Sequence, residues 1–401
     1  MTTNPTANGT ATPRRCPDSS PPEAPMIPDD PSLRGRIAVV YGTRPEVIKL
    51  AGIIAELGQQ ALLLHTGQHF SPELSADIAR DVGVGDADVT LEIGNTSRGE
   101  QIGEGTARLD RAFRQLRPRA VVVQGDTNSA LAGALAANAV GIPLVHVEAG
   151  LRSWDRAMPE EHNRVLIDHI SDLCCAPTET SRANLVAEGI EDRRIVVTGN
   201  TVIEAVLQMV PDMASRAELL GRLAVEPGGF VLATFHRPEN VDAAEALAQV
   251  LELLAEVPLP VVLPLHPRTR ARAASFGLEH LLRPLHVVPP VAYRDFLGLT
   301  AEAAFLISDS GGVQEEVSVL KRPVIVVRAS TERPEVLGTF AERVPLGPAV
   351  AELARRWCAE LPGLHARLAT LPSPYGDGSA SARSVAAISR LLSTDRQEAH
   401  R

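Results

Sequence analysis

Short apolar runs recur along this chain at the spacing of alternating strands and helices, and that cadence restricts the fold more than any single motif. Ile37–Val40, Ala61–Leu64, Arg119–Val123, Ile142–Val147, Leu173–Ala176 and Ile195–Val197 form a first series, with helical stretches between most of them. Pro211 and the Pro227-Gly228-Gly229 turn mark a junction. Beyond it Phe230–Phe235, Val261–Leu265, Leu285–Val288, Ala304–Ile307 and Val324–Val327 form a second series. Buried parallel strands read as continuous apolar runs, and a strand–helix–strand cadence means a parallel sheet covered by helices. A chain of 401 residues exceeds one ordinary core, so an α/β protein of two doubly wound, Rossmann-like parallel-sheet domains facing a central cleft is expected. Ligands in such sheets bind beyond the carboxyl ends of the strands, which is where motif residues are to be sought.

The bulk properties narrow the function. Net charge is −10, which argues against a nucleic-acid or anionic-membrane partner and requires a local basic pocket for any anionic substrate. No apolar run approaches the ~20 residues of a membrane span. Cys16, Cys174, Cys175 and Cys358 match no zinc or redox spacing, and a reducing cytoplasm suits them. Residues 1–34 hold eight of the 31 prolines and lack the apolar core of a secretory signal, so they read as a disordered leader.

The most informative stretch is Asp309-Ser310-Gly311-Gly312-Val313-Gln314-Glu315-Glu316, which follows the strand Ala304–Ile307 and opens a helix. Free backbone N–H groups and the helix dipole there make a phosphate cradle, two glycines admit close approach, and Glu316 is placed to accept ribose hydroxyls. After the first strand, Gly42-Thr43-Arg44-Pro45-Glu46 with Lys49 puts Arg44 and Lys49 at a helix start facing the cleft. Gln124-Gly125-Asp126-Thr127, His146-Val147-Glu148 and Met158-Pro159-Glu160-Glu161-His162-Asn163-Arg164 supply three carboxylates, Asp126, Glu148 and Glu160. Converging carboxylates separate one another's pKa values, so that an acid and a base coexist at neutral pH. Each alone serves equally well as a cap or ion-pair partner, Asp126 above all, because Asp followed by Thr is also a plain helix cap. His236, after the first strand of the second series, is a candidate to neutralise or protonate a diphosphate leaving group, or else a turn-capping histidine. His266 sits similarly after the next strand, and Thr331-Glu332-Arg333-Pro334-Glu335 would close the cleft near a sugar. Asp86-Ala87-Asp88 matches a metal-binding Asp-x-Asp pattern but precedes a strand, and the histidines lack ligand spacing, so no metal and no cofactor are expected.

Taken with His65-Thr66-Gly67-Gln68-His69, Thr198-Gly199-Asn200-Thr201-Val202-Ile203 and His146-Val147-Glu148-Ala149-Gly150-Leu151-Arg152, these motifs occur in the order of a known family. From residue 36 to about 390 the chain resembles the non-hydrolysing UDP-N-acetylglucosamine 2-epimerases. The resemblance implies a GT-B-type fold, a homodimer, and reversible conversion of UDP-N-acetylglucosamine to UDP-N-acetylmannosamine. It implies Asp126, Glu148 and Glu160 as acid/base carboxylates. Around the nucleotide, phosphates and sugar it places Arg44, Lys49, Arg164, His236, Ser310, Gly311, Gly312 and Glu316. The Pro374-Tyr375-Gly376-Asp377-Gly378 segment looks like the family's closing motif, after which a last helix returns toward the first domain. The organisation expected is a leader over residues 1–34, an N-terminal domain over 35–210, a UDP-binding domain over 211–375 and a returning helix over 376–401. Two segments depart from the family pattern: Val336-Leu337-Gly338-Thr339 is shorter than usual, and Phe70-Ser71-Pro72 differs where many relatives bind an activating second substrate molecule.

Carbon-2 of such a sugar is not acidic, so the expected route is elimination of UDP to a 2-acetamidoglucal and re-addition. A GT-B glycosyltransferase using a UDP-sugar and a hydrolysing 2-epimerase releasing free N-acetylmannosamine are the alternatives, with a silent UDP-sugar sensor as a third. The hydrolysing branch usually has Ala-Asp where Pro45-Glu46 stands here. The Pro- and Thr-rich leader and high Ala and Arg content suit an actinomycete-like secondary-metabolism enzyme, feeding aminosugar antibiotic or cell-surface polysaccharide synthesis.

Overall fold

The structure, a computed structural model, describes residues 27–68, 82–94 and 96–398. Most of the leader, Cys16, His69 and the Phe70-Ser71-Pro72 departure lie outside the described residues. The first sheet contains β1 (Ile37–Tyr41), β2 (Ala61–His65), β3 (Val89–Thr90), β4 (Ala120–Gln124), β5 (Leu144–Val147), β6 (Leu173–Ala176) and β7 (Ile195–Val197). Their order is β3-β2-β1-β4-β5-β6-β7. The second contains β8 (Val231–Thr234), β9 (Val261–Pro264), β10 (His286–Val288), β11 (Phe305–Ser308), β12 (Val324–Val327) and β13 (Ala341–Val344), in the order β10-β9-β8-β11-β12-β13. All pairings are parallel, with Val39 opposite Leu63 and Val122, and Leu306 opposite Leu232 and Val324.

Two strands have no range in the sequence reading, although a strand is expected after Asp86-Ala87-Asp88. β3 has two residues, too few for any pattern, and β13 reads Ala-Glu-Arg-Val, the composition of a sheet edge and not of a buried strand. Ordered structure also begins before Arg36. Leu33 is buried, and Gln115 Nε2 on the helix Arg98–Leu116 donates to the carbonyls of Ile27 and Pro28, so the last residues of the expected leader pack on the first lobe.

Side chains of a strand alternate between faces, and here both faces are covered. Val39, Tyr41 and Val122 enter one core, which runs on into the second sheet; Ala38, Val40, Val121 and Val123 enter another. Leu109, Phe113 and Leu116 of the helix Arg98–Leu116 fill that second core. The alanine-rich helix Asn128–Val140 lies against it closely enough that a Cβ on Gly105 would stand 3.0 Å from the Ala132 methyl.

Two helices join the lobes. Val202–Met209 packs on both Arg44–Leu57 and Gly311–Leu320. The last helix, Ala380–Glu398, lies on Arg44–Leu57, and Ser381 N donates to Glu204 Oε1 at 2.8 Å. Gly52 makes that approach feasible, because a Cβ there would fall 2.3 Å from Ser381 Oγ. The result is a GT-B-type pair of α/β sheets. In each, the order of connections reverses between the first and fourth strands, β1 and β4 or β8 and β11. The carboxyl ends at these two reversal points carry Gly42–Lys49, Gly125–Thr127, His236 and Ser310. Among the described residues no helix is long and apolar enough to cross a membrane.

Candidate active site

The turn after β1 is built by exclusion. A Cβ on Gly42 would sit 2.0 Å from Ser129 Oγ and 2.2 Å from Thr66 Oγ1, so only glycine lets the chain pass. Glu46 then gathers donors: Gly42 N at 3.0 Å, Thr43 N and Thr43 Oγ1 at 2.8 Å, and Thr127 Oγ1 at 2.7 Å. Burial pushes its carboxyl up to about 7 despite these bonds. Glu46 therefore fastens the turn after β1 to the turn after β4. Thr127 also accepts from Ala130 N and caps the helix Asn128–Val140. The capping role open to Asp126 in the sequence thus belongs to its neighbour.

From the same helix start, Lys49 points into a buried set of charges shared by the two lobes. Its Nζ donates to Glu148 Oε1 and Oε2 at 2.7 and 2.8 Å and lies 2.9 Å from Glu315 Oε2. Arg333 completes the set, with Nη2 at 3.2 Å from Glu148 Oε1 and Nε at 2.8 Å from Glu315 Oε1. Asn200 Nδ2 donates to Glu315 Oε1 at 3.0 Å and to Glu148 Oε1 at 3.4 Å, and Gln124 Nε2 donates to Glu148 Oε2. Burial, with Glu315 adding to it, pushes the Glu148 carboxyl up against the pull of Lys49 and Arg333. Glu315 is driven the other way: burial would raise it, but Arg333 and Lys49 hold it low. Two carboxylates sharing two cations thus take opposite directions. Glu148 also has φ +70°, a left-handed backbone that a non-glycine residue keeps only where its surroundings enforce it.

Asp126 follows Gly125, whose φ of +67° turns the chain after β4. Its carboxylate receives Arg164 Nε at 3.2 Å and Nη2 as well. Arg164 further donates through Nη1 to Glu161 Oε2 at 2.5 Å. Of the paired glutamates at this helix start, Glu161 is buried and accepts from Ser153 N and Trp154 N, whereas Glu160 is exposed and outside the cavity lining. The expected convergence of three carboxylates therefore reduces in this arrangement to Asp126 and Glu148. Successive residues of a helix are rotated by about 100° around its axis, and Glu160, with Pro159, falls on the outer side.

In the second lobe, Asp309 is buried and accepts from His236 N at 3.1 Å, Arg237 N at 2.9 Å and Asn240 Nδ2 at 3.1 Å. Burial would raise its carboxyl, but His236 and these donors hold it low. The helix Gly311–Leu320 begins next, and its two glycines divide their work. A Cβ on Gly311 would meet Arg333 Nη1 and Glu332 Oε1 at 2.7 Å, so Gly311 makes room for that ion pair, not for a ligand. Ser310 and Gly312 line the cavity. Glu316 accepts from Tyr293 Oη at 2.9 Å, while its Oε2 is buried without a partner, and burial pushes the carboxyl up to about 7.

A cavity of about 330 Å³ collects Arg44, Lys49, Asp126, Glu148, Arg164, Ser310, Gly312, Glu316 and Arg333 from both lobes. A second, of about 320 Å³, shares Arg44, Tyr293, Ser310 and Glu316 with it and adds Phe235, His236, His266, Pro290, Val291 and Phe296. His236, 44% exposed with Nδ1 3.2 Å from Asp309 Oδ1, belongs to this second cavity and not to that of the carboxylates. His266 caps its helix by accepting from Arg268 N and faces His236 at 5.8 Å between rings. Tyr293, Glu315 and Asn200 were not singled out from the sequence. Tyr293 lies outside every motif, and Glu315 is masked by the neighbouring Glu316. The Asp-x-Asp pattern is structural, since Asp88 Oδ2 accepts from Leu63 N at 2.7 Å. Among the described residues no group of His, Cys, Asp and Glu is placed to hold a metal ion.

The family model described as UDP-N-acetylglucosamine 2-epimerase matches residues 55–389. A UDP-N-acetylglucosamine 2-epimerase of Methanococcus maripaludis is 40% identical over 314 residues, 75% of this chain and 85% of that protein. A UDP-2,3-diacetamido-2,3-dideoxy-D-glucuronate 2-epimerase of Pseudomonas aeruginosa is 34% identical over 368 residues, 89% of this chain and 100% of that protein. The crystal structure of Methanocaldococcus jannaschii UDP-GlcNAc 2-epimerase in complex with UDP-GlcNAc and UDP superimposes with a TM-score of 0.78 at 36% identity, covering 90% of this chain and 99% of that one.

Glu316 sets a pH dependence of stability. Its folded carboxyl is raised from 4.5 to about 7, so its contribution is intact below the lower value and is lost as pH climbs to the higher one. Glu316→Gln should therefore change thermal unfolding of the unliganded protein little near pH 5, and stabilise it at about pH 8 by on the order of 2 kcal/mol. Equal melting of the two proteins at the higher pH would contradict the assignment.

Proposed function

Because this chain belongs to the UDP-N-acetylglucosamine 2-epimerase family, we propose that it inverts carbon-2 of UDP-N-acetylglucosamine reversibly, giving UDP-N-acetylmannosamine without net release of UDP. The observation that carries the reading is the single cavity in which Asp126 and Glu148 face the Ser310–Gly312 helix start and the unpartnered oxygen of Glu316. Those are the parts needed to move protons at a sugar while holding a nucleoside diphosphate.

The nucleotide is assigned by chemistry. A diphosphate suits the N-terminus of the helix Gly311–Leu320 together with Arg44, where N–H groups and a guanidinium stabilise negative charge. The Oε2 of Glu316 accepts a ribose hydroxyl, satisfying an atom otherwise orphaned in the protein interior. The base fills the second cavity between Phe235, Pro290 and Phe296, beside His236 and His266. The sugar then lies toward Asp126, Glu148 and Arg164.

In the forward direction a carboxylate removes the carbon-2 proton and the former C–H electron pair becomes the carbon-1–carbon-2 double bond. The bond from carbon-1 to the β-phosphate oxygen breaks, and its electron pair leaves with UDP. The charge developing on that oxygen is met by Arg44 and the helix N–H groups. UDP then re-adds to carbon-1 while a proton reaches carbon-2 from the opposite face. Atoms and electrons return to their starting count with one centre inverted. Asp126 and Glu148 line the cavity and carry the two proton transfers. Their surroundings differ: Asp126 is 29% exposed beside Arg164, while Glu148 is enclosed and pushed up by burial, so the two carboxyls are not equivalent as proton carriers. Glu160 stays outside this scheme because it is outside the cavity. Closure of the lobe over 35–210 on that over 211–375 keeps water from the glucal intermediate.

We read the working form as a cytoplasmic homodimer, supported by the exposed Leu135 and Leu166 on adjoining helices of the first lobe. Sedimentation equilibrium should give twice the chain mass; a single-chain mass at micromolar concentration would contradict it. For the chemistry, turnover of UDP-N-acetylglucosamine in heavy water should place deuterium at carbon-2 of both epimers. Asp126→Asn or Glu148→Gln should lower kcat by about 10²- to 10⁴-fold with UDP binding kept. Epimer formation without solvent exchange would exclude elimination, and free N-acetylmannosamine would mark hydrolysis.

A further inference from the structure

The loops that carry Asp126 and Glu148 are tied to one buried pair that the chemistry above does not use. His146 on β5 and Asp168 on the helix Pro159–Ile170 are both fully enclosed, with His146 Nδ1 2.6 Å from Asp168 Oδ1. The other ring nitrogen, Nε2, lies 2.8 Å from the carbonyl oxygen of Gly125. A carbonyl oxygen can only accept, so Nε2 carries a proton. Asp168 Oδ2 meets the Arg152 guanidinium at 2.7 Å and accepts from Gly150 N at 3.2 Å, partners that favour the ionised carboxylate. Opposite an ionised carboxylate Nδ1 donates too, and the ring carries both protons.

The neighbouring charges balance that form. Arg152 Nη2 stands 2.7 Å from Asp168 Oδ2 and 2.6 Å from Glu188 Oε2, so two cations meet two carboxylates. Opposite His146 in the β5–β6 register is Cys174, whose thiol burial pushes up and keeps neutral. From β7's side, Arg194 Nη2 donates to the carbonyl of His169 at 3.0 Å, and beyond Gly125 lies the Asp126–Arg164 pair.

The pair reaches both reactive loops. Through Gly125 O it holds the turn that presents Asp126, whose own carbonyl accepts from Asn163 Nδ2 at 2.8 Å on the same helix as Asp168. Through Oδ2, Asp168 accepts from Gly150 N at 3.2 Å, within the loop that begins at Glu148. Gly150 has φ +82° and packs so closely that a Cβ would be 2.3 Å from Ser181 O. That loop has one permitted course, and Asp168 is its anchor.

We propose that His146 is a positioning residue acting as a doubly protonated clamp, which with Asp168 fixes the Gly125–Asp126 turn relative to the Glu148 loop. The positioning role rests on the functions given to Asp126 and Glu148; the protonation of the ring does not. Nitrogen-15 NMR of the full chain labelled at histidine tests the ring directly. The histidine with the slowest solvent exchange should show both ring nitrogens protonated at about pH 7. A neutral tautomer there at about pH 7 overturns the clamp. In kinetics, His146→Gln keeps a single donating nitrogen that cannot span both acceptors, so kcat should fall on the order of a hundredfold with KM within about threefold. Asp168→Asn should lower kcat similarly. Folded His146→Gln protein with unchanged kcat overturns the positioning role. Absence of epimerisation by the unsubstituted protein counts against the activity, and the ring signal then decides the clamp alone.

Discussion

The four buried charges of Lys49, Glu148, Glu315 and Arg333 are the interaction on which the rest depends. Each lobe contributes one cation and one carboxylate that pair within it, and the cross-lobe contacts Lys49–Glu315 and Arg333–Glu148 tie the two pairs into one set. Removing one member of such a set leaves an uncompensated charge, at a cost of about 3–5 kcal/mol. The two sheets are therefore held in register by electrostatics at the place where the chemistry needs a carboxylate. Apolar packing of the helix Val202–Met209 against both lobes would tolerate small slides; the ion set would not.

Strain and charge are spent in the same few residues. Glu148 keeps a left-handed backbone because Cys175 O accepts from both Glu148 N and Ala149 N at 3.1 Å, and Gly150 finishes the turn. Asp126 is presented by a glycine of positive φ whose carbonyl is held by His146. These loops have little freedom before substrate arrives, the preorganisation that a reaction dependent on placing charge around a leaving diphosphate requires. The contrast with Glu316 is instructive. That carboxyl is buried, raised and half satisfied, which makes the empty protein less stable at neutral pH and leaves an acceptor waiting for a hydroxyl.

Much of this was legible in the sequence because parallel strands, buried on both faces, write themselves as apolar runs, and site residues follow their carboxyl ends. Arg44, Lys49, Asp126, Glu148, Ser310, Gly312 and Glu316 are brought together as expected. What could not be read was which of two adjacent residues turns inward. Glu160 and Glu161 are equivalent in a sequence, yet the helix start sends one outward and the other to Ser153 and Arg164. Gly311 and Gly312 look alike, yet one accommodates Arg333 and the other faces the cavity. Glu315 was hidden for the same reason, and β13 because edge strands carry surface residues. Such distinctions depend on rotation about a helix axis fixed by tertiary contacts, to which residue spacing is blind.

A double-mutant cycle on Lys49→Met and Glu315→Gln, read by denaturant unfolding, tests the interlobe charge set most directly. The structure predicts that each single change destabilises strongly and that the double change recovers part of the loss, a coupling on the order of 2–3 kcal/mol. Additive effects within about 0.5 kcal/mol would mean that the lobes do not share these charges.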